Sequence, residues 1–412
     1  MKISHQMSSM KGSPIRKIVA MIERAKTNEK LISFAGGAPS LAPPREMMDE
    51  LNKAFAANAY KATSYTSTRG MPALISDLCE DIKKTEGLHY SEDQLMITEG
   101  STEGLFATFY GIFDKGDEVI IFDPTYVGYS EPLELLGAKV VRVKTPMSAG
   151  FQPDHEELKN AVTKKTQAIL IVSPDNPTGR ILSEESTHLL SDLAKDAGLW
   201  IINDRAYNDI YFEEPGPVPT AKYAYDNTIS SYTFSKSASS PGIRIGYLAG
   251  PKEIISAAIK VKQYLSLCSN SWGQIAARAF LKIKEQYIRD VVIPAYRKRR
   301  DVMIDSLRTY LPDAKFMKPQ GAMYVFPDFS TYIDDRDEEL VQEDLLESKN
   351  VAVVPGKFFG ENGAGHFRLT YVAETEEKIV EGTQRMAEYF NEFKSEHLPA
   401  DALKPGDTSP FC

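Results

Sequence analysis

A chain of 412 residues with 42% apolar and 25% charged side chains has the material of two domains with a large core, which excludes a disordered or membrane-spanning protein. Its formal charge of -9 supplies no electrostatic reason to expect nucleic acid or an anionic membrane as partner. Three cysteines, Cys79, Cys268 and Cys412, are an odd number without ligand-like spacing, so neither a disulfide framework nor a metal site is expected and a reducing compartment fits.

Residues 1–26 lack the apolar stretch of a secretory signal, although their basic, serine-containing and nearly acid-free composition faintly resembles a transit peptide; a cytoplasmic location is expected. Ser13 and Pro14 open a helix in which Ile15, Ile18, Val19 and Ile22 repeat at helical spacing. Arg16 lies off that stripe, either reaching into a site or facing water. Residues 31–34 read as a short strand, and Gly36 and Gly37 after it permit a sharp turn or a close approach to a ligand. A helix over residues 44–58 leads to a polar loop at 65–70, where Tyr65 is ambiguous, and then to another helix.

Residues 94–98 form a strand, followed by Glu99-Gly100-Ser101-Thr102-Glu103-Gly104 and an apolar helix to residue 113. Backbone N–H groups and hydroxyls between a strand and a helix suit a phosphate, yet they equally suit an ordinary cap, and Glu103 does not favour an anion. A buried strand at 119–122 ends in Asp123-Pro124-Thr125-Tyr126, and a further strand spans 139–143. The apolar strand 168–172 ends in Ser173-Pro174-Asp175-Asn176-Pro177-Thr178-Gly179, a rigid loop with the Asn176 amide at its centre.

A helix over 183–197 precedes the strand 199–203, whose end carries Asp204, Arg205, Ala206 and Tyr207. A carboxylate at the mouth of a buried sheet needs a cation or hydrogen-bond donors. The run 229–234 delivers Ser235 and Lys236 from an apolar setting, and a Pro-Gly turn brings back Arg244 before the strand 245–249. A lysine in that place is either an ordinary loop residue or an amine made nucleophilic by burial and neighbouring charge. Residues 251–311 read as mostly helical, with Tyr296, Arg297, Lys298, Arg299 and Arg300 as a solvated face between two domains. An α+β pattern follows: strands near 315–318, 323–326, 351–354 and 366–370, helices near 338–348 and 375–394, and a disordered tail.

The alternation of strands and helices from about residue 60 to 250 argues for an α/β fold with a largely parallel sheet covered on both faces. The Ser101 turn, Tyr126, Asn176, Asp204 with Tyr207, and Lys236 with Arg244 all follow strands and converge on one edge of that sheet. A lysine for a Schiff base, a carboxylate for a pyridinium nitrogen and an anion cup together are what pyridoxal phosphate (PLP) requires.

The segments FAGGAP, SPDNPTG, DRAY, FSKSASSPGIRIGY and HFRLTY, in this order, resemble the fold-type I, class I/II aminotransferases over roughly residues 12–390. The resemblance implies a large PLP-binding domain at 46–290 with a mostly parallel seven-stranded sheet, and a smaller α+β domain at 291–395. Residues 1–45 would join the smaller domain and 396–412 would form the tail. Lys236 would carry the cofactor and act as general base and acid; Asp204 would pair with the pyridine nitrogen; Tyr207 and Asn176 would bond the ring hydroxyl; Tyr126 would stack on the ring. Ser101, Thr102, Ser235 and Arg244 would bind the phosphate, with Tyr65 reaching the site of a partner subunit in a homodimer. Gly37 and Asn176 would line the substrate position, and Arg368 would clamp the substrate α-carboxylate with its guanidinium fork.

The N-terminal run SPIRKIVAMIERAKTNEKLISFAGGAP is similar to that of aminotransferases acting on 2-aminoadipate, aromatic amino acids and related donors with 2-oxoglutarate. Arg16 occupies the place of an arginine that in some of them meets a distal carboxylate. Aspartate, aromatic and 2-aminoadipate donors all stay open at this level. The alternatives are a PLP lyase catalysing β-elimination on the same fold and a non-catalytic amino acid sensor, the latter opposed by the acidic charge and by the few residues before the first motif. A nucleotide module is opposed by the absence of G-x-G-x-x-G after a strand and of a GK[ST] loop.

Overall fold

The apolar runs in the middle of the chain become the strands of one sheet. The structure, a computed structural model, describes residues 2–10, 12, 14–25 and 30–397. In chain order its strands are β1 (Ile32–Ser33), β2 (Leu95–Thr98), β3 (Glu118–Asp123), β4 (Lys139–Lys144), β5 (Thr166–Val172), β6 (Trp200–Asp204), β7 (Thr228–Thr233), β8 (Gly246–Ala249), β9 (Tyr324–Val325), β10 (Val351–Ala352), β11 (Val354–Pro355) and β12 (Phe367–Thr370).

Seven of them form a sheet in the order β2-β8-β7-β6-β5-β3-β4, in which only β8 runs antiparallel to its neighbours. Burial on both faces explains the apolar run Val119-Ile120-Ile121-Phe122 inside β3, whose six residues are all buried. β4 closes one edge with Lys139, Arg142 and Lys144, charges that blunt an open strand. The parallel run places the C-terminal ends of β2, β3, β5, β6 and β7 along a single edge. The helix Gly100–Ile112 packs on β7 and β8 from one side, with the helix Lys252–Leu265 against its outer face.

Two small sheets complete the frame. β9, β12 and β11 pair antiparallel, and β1 pairs parallel with β10, Ile32 opposite Val351 and Ser33 opposite Ala352. Asp123, at the end of β3, ties the C-terminal part to the large sheet. Its Oδ2 accepts from the Glu361 N–H and its Oδ1 from the Asn362 N–H, both at 3.1 Å. Gly360 (φ 139°) makes this approach possible, because a Cβ there would lie 2.0 Å from Asp123 Oδ1.

Four expectations need correction. The helix expected to end at residue 58 continues to Thr63 across a kink at Asn58, whose side chain accepts from the Lys61 N–H at 2.9 Å and so starts the next turn. The strand near 315–318 is only an isolated bridge between Lys315 and Asp328. The strand near 351–354 is two strands in two different sheets.

The supposedly solvated stretch at 296–300 is mixed. Tyr296 and Arg300 are 0% and 1% exposed, because five consecutive helical residues must also occupy the inward face. Arg300 is tolerated there by stacking 4.5 Å over Phe212 and bonding Glu213 and the Pro319 carbonyl at 2.9 and 3.0 Å. Ser13, Cys412 and most of the expected tail (398–412) lie outside the described residues.

Candidate active site

β7 ends at Thr233, whose hydroxyl accepts from the Ser235 N–H at 3.2 Å and turns the chain into the single helical turn Phe234–Ser237. Lys236 leaves this turn half-buried. Its Nζ donates to the Gly37 carbonyl at 2.7 Å and lies 5.9 Å from the centre of the Tyr207 ring.

Asp204 ends the neighbouring strand β6 and is 5% exposed. Its Oδ2 accepts from the Tyr129 hydroxyl at 2.8 Å and its Oδ1 from the Ala206 N–H at 3.0 Å. Burial pushes its pKa up to about 6, against the pull of those donors and of the Lys236 charge. A carboxylate so placed is suited to a cationic partner. Tyr126 meets Tyr129 edge-on, with ring centres 5.2 Å apart, and keeps 36% of its own surface open.

The loop after β5 is locked by a buried pair, Asp175 and Arg180 at 3.5 Å, with Asp175 Oδ2 also accepting from the Thr178 hydroxyl and N–H. Asn176 is thereby held facing Arg368 of β12. Arg368 Nη1 donates to Asn176 Oδ1 at 3.1 Å, and Nη2 donates to the Ala35 carbonyl at 2.7 Å. Nε of this guanidinium, which is 2% exposed, has no partner among the described residues. Asn176 Nδ2 makes a long 3.5 Å contact with the Tyr207 hydroxyl.

Tyr324 was not singled out by sequence reasoning, which took it as a residue of a strand. Arg368 stacks 4.4 Å over its ring, and its hydroxyl lies 3.0 Å from that of Tyr207. Burial alone would raise its phenol, but the Arg368 and Lys236 charges and the Tyr207 hydroxyl carry it below the ordinary value. A Cβ on Gly37 would sit 2.4 Å from that phenol oxygen, so glycine is required where this wall closes. Tyr129 was also missed; its spacing three residues after Tyr126 in Tyr126-Val127-Gly128-Tyr129 was the available signal.

Gly100 (φ 77°) begins the helix after β2 and lies against Arg244: a Cβ there would be 2.6 Å from Arg244 Nη2. Arg244, itself left-handed at φ 52°, donates from Nη2 to the Glu99 carbonyl at 3.3 Å and from Nη1 to the Pro241 carbonyl at 3.0 Å. Gly246 keeps the same corner open, since its Cβ would fall 2.9 Å from the Ser101 nitrogen. Ser101 is half-buried on the first turn, and Ser235 is buried with its hydroxyl on that of Thr233 at 2.9 Å.

Thr102 is exposed, Tyr65 is 85% exposed, and Arg16 is exposed on the helix Pro14–Ala25. These three are not bonded to the rest of the set. The Arg16 charge nevertheless reaches the Tyr126 phenol, which desolvation raises and which the Arg368 and Arg16 charges pull back down.

A lysine amine, a carboxylate in want of a cation and a glycine-lined corner beside an arginine fit the lysine, ring nitrogen and phosphate requirements of PLP. Among the described residues no group of three or more His, Cys, Asp or Glu side chains could hold a metal ion.

The family model of the class I and II aminotransferases matches residues 29–385. The chain is 32% identical over 385 residues to the aspartate aminotransferase of Pyrococcus horikoshii, covering 93% of this chain and 96% of that one. Its structure is similar to that of the Thermus thermophilus aspartate aminotransferase with maleate, at a TM-score of 0.89 and 30% identity over 94% of this chain and all (100%) of that one. It is also similar to the Pyrococcus horikoshii aromatic aminotransferase, at a TM-score of 0.84 and 28% identity over 91% and 99% of the two chains.

Proposed function

The chain belongs to the class I and II aminotransferase family, and from that premise we propose that it transfers the amino group of a dicarboxylic amino acid of the aspartate type to 2-oxoglutarate. It is a PLP-dependent transferase, and the lyase alternative is not favoured. The observation that carries the proposed donor is the 32% identity over 385 residues to the aspartate aminotransferase of Pyrococcus horikoshii, with the exposed Arg16 of the helix Pro14–Ala25 as the residue for the distal carboxylate. The maleate of the Thermus relative, itself a dicarboxylate, supports the same choice. Aromatic and 2-aminoadipate donors are the remaining members of the series to be compared.

When bound, PLP supplies the electron sink that stabilises negative charge at the donor's α-carbon. Lys236 would hold the cofactor through its Nζ, and the same amine would serve as the base for the donor's α-carbon proton and as the acid that returns it. The Gly37 carbonyl, 2.7 Å from Nζ, holds the amine on the side of Tyr207. Asp204 would supply the negative charge for a protonated ring nitrogen, its carboxylate oriented by the Tyr129 hydroxyl. Asn176 and Tyr207 would donate to the ring hydroxyl, and Tyr126 would stack on the ring. Arg368 holds the α-carboxylate, its guanidinium plane fixed by Asn176, Ala35 and Tyr324. Ser101, Thr102, Ser235 and Arg244 receive the phosphate, and Gly37 leaves room for the substrate.

The active form is a homodimer in which Tyr65 reaches the partner's phosphate. Support comes from one continuous surface: Tyr60, Tyr65 and Tyr264 are 84%, 85% and 92% exposed, Leu265 and Leu267 about half exposed. The two segments adjoin through Thr66 bonded to the Ser269 carbonyl and Ser271 bonded to the Ala62 carbonyl. The large domain takes residues 46–290 and the smaller one 291–395, with residues 1–45 joined to the latter, a division supported by the β1–β10 pairing. A reducing, cytoplasmic setting accords with the free thiols of Cys79 and Cys268. Among the described residues no helix is long and apolar enough to cross a membrane.

The test is to add single amino acids to the PLP-loaded protein without any oxo acid and follow the cofactor absorbance. Conversion to the pyridoxamine form by aspartate and glutamate, with weaker response to aromatic donors, is expected. Conversion by aromatic donors alone would overturn the dicarboxylic assignment.

A further inference from the structure

The corner at Gly100, Ser101 and Arg244 has an electrostatic difficulty. The helix Gly100–Ile112 aims its N-terminal N–H groups there, which favours an anion, yet carboxylates stand on both sides at Glu99 and Glu103. Both are diverted. Glu99 accepts from the Asn270 N–H at 2.6 Å and from Asn270 Nδ2 at 3.1 and 3.3 Å. Glu103 turns back along its own helix, where its Oε2 accepts from the Glu99 N–H and from Lys262 Nζ, each at 2.7 Å, and its Oε1 accepts from the Ser266 hydroxyl at 2.5 Å.

Only one of these partners is a cation. Lys262 comes from the helix Lys252–Leu265, its side chain is 0% exposed, and its Nζ is held by Glu103 and by Ser266 Oγ at 2.9 Å. An ammonium is rarely buried so completely without a purpose for its charge.

We propose that Lys262 is a positioning residue for the cofactor phosphate, cancelling the Glu103 charge so that the corner at Gly100, Ser101 and Arg244 accepts an anion. The proposal rests on the reading of that corner as the phosphate site. Glu103 is kept because its carboxylate satisfies the Glu99 N–H at the helix start, and Lys262 removes the electrostatic cost of that cap.

The sign of the effect separates this from a merely structural ion pair. The dissociation constant for PLP is measured by equilibrium dialysis of the full-length protein, alongside the melting temperature. Lys262→Met leaves the Glu103 charge beside the phosphate and is expected to weaken PLP binding by about tenfold. Glu103→Gln keeps the bond from the Glu99 N–H and leaves the ammonium, so its affinity is expected to equal or exceed that of the unaltered protein.

Both changes break the same pair, so a structural role alone would weaken binding in both, and that result overturns the proposal. The neutral double variant, Lys262→Met with Glu103→Gln, is expected to return the affinity to within about threefold of the starting value. If Lys262→Met does not fold, the other two decide: weaker binding by Glu103→Gln refutes the proposal. Failure of the unaltered protein to take up PLP is a separate outcome that removes the phosphate site itself.

Discussion

Arg368 and Asn176 share a hydrogen bond of 3.1 Å, from guanidinium Nη1 to amide Oδ1, and that bond decides which way the amide faces. With Oδ1 committed to Arg368, Nδ2 is the end turned toward Tyr207. One side chain thus joins the residue proposed to hold the substrate carboxylate to the residues proposed to hold the cofactor ring.

Arg368→Lys is expected to raise KM for every donor by about tenfold or more, because an ammonium cannot serve Ala35, Asn176 and a carboxylate with the geometry of the fork. Steady-state kinetics across aspartate, glutamate and an aromatic donor check this. A KM change confined to one donor would contradict the assignment to the common α-carboxylate.

Lys236→Ala is expected to lower turnover by at least about a thousandfold, the scale of a lost acid–base group. Borohydride should fix the cofactor to the unaltered protein and fail to fix it to the variant, which retains PLP only through its other contacts. Normal labelling of the variant would place the attachment at a different lysine.

Asp204 provides a pH signature in the cofactor-free protein. Its pKa is about 6 when folded against an ordinary value of 3.8, so the folded state holds the proton more tightly. The resulting contribution to stability is full below pH 3.8 and is lost as the pH rises through about 6. Asp204→Asn removes this slope, and above pH 6 the cofactor-free variant is expected to be more stable than the unaltered apoprotein by on the order of 3 kcal/mol. Denaturant midpoints at pH 4 and pH 7.5 measure the difference; a variant equally or less stable at pH 7.5 refutes it, while the holoenzyme should lose activity in either case.

Arg16→Gln is expected to raise KM for aspartate and glutamate by about fivefold to tenfold and to leave aromatic donors unchanged. Equal losses on all donors would remove Arg16 from the distal carboxylate.

What was legible in the sequence follows from where chemistry stands against its background. Lys236 and Asp204 are conspicuous because each interrupts an apolar strand end, and the parallel alternation that brings those ends together is itself a pattern of the chain. Lys262 was invisible for the opposite reason: it is one lysine on an amphipathic helix, and its partner Glu103 is 159 residues away. Glu103 was noticed, but as an obstacle to an anion. Arg300 and Tyr296 were misjudged because a charge run in one dimension does not say which of its members turns inward. Tyr324 escaped because a buried aromatic in a strand is ordinary until Arg368, from the adjacent strand β12, is seen lying over it.

β1 is two residues long and pairs with β10, more than three hundred residues later. Directly after β1 come the carbonyls of Ala35 and Gly37, which hold Arg368 and Lys236. As the chain leaves the ribosome, every strand of the seven-stranded sheet emerges before residue 250, while β1 has no partner until residue 352 is made. Synthesis therefore sets an order of assembly: the scaffold first, the grip on Lys236 last. A chain arrested at about residue 300 should resist proteases across the large sheet and be cut readily near Gly37.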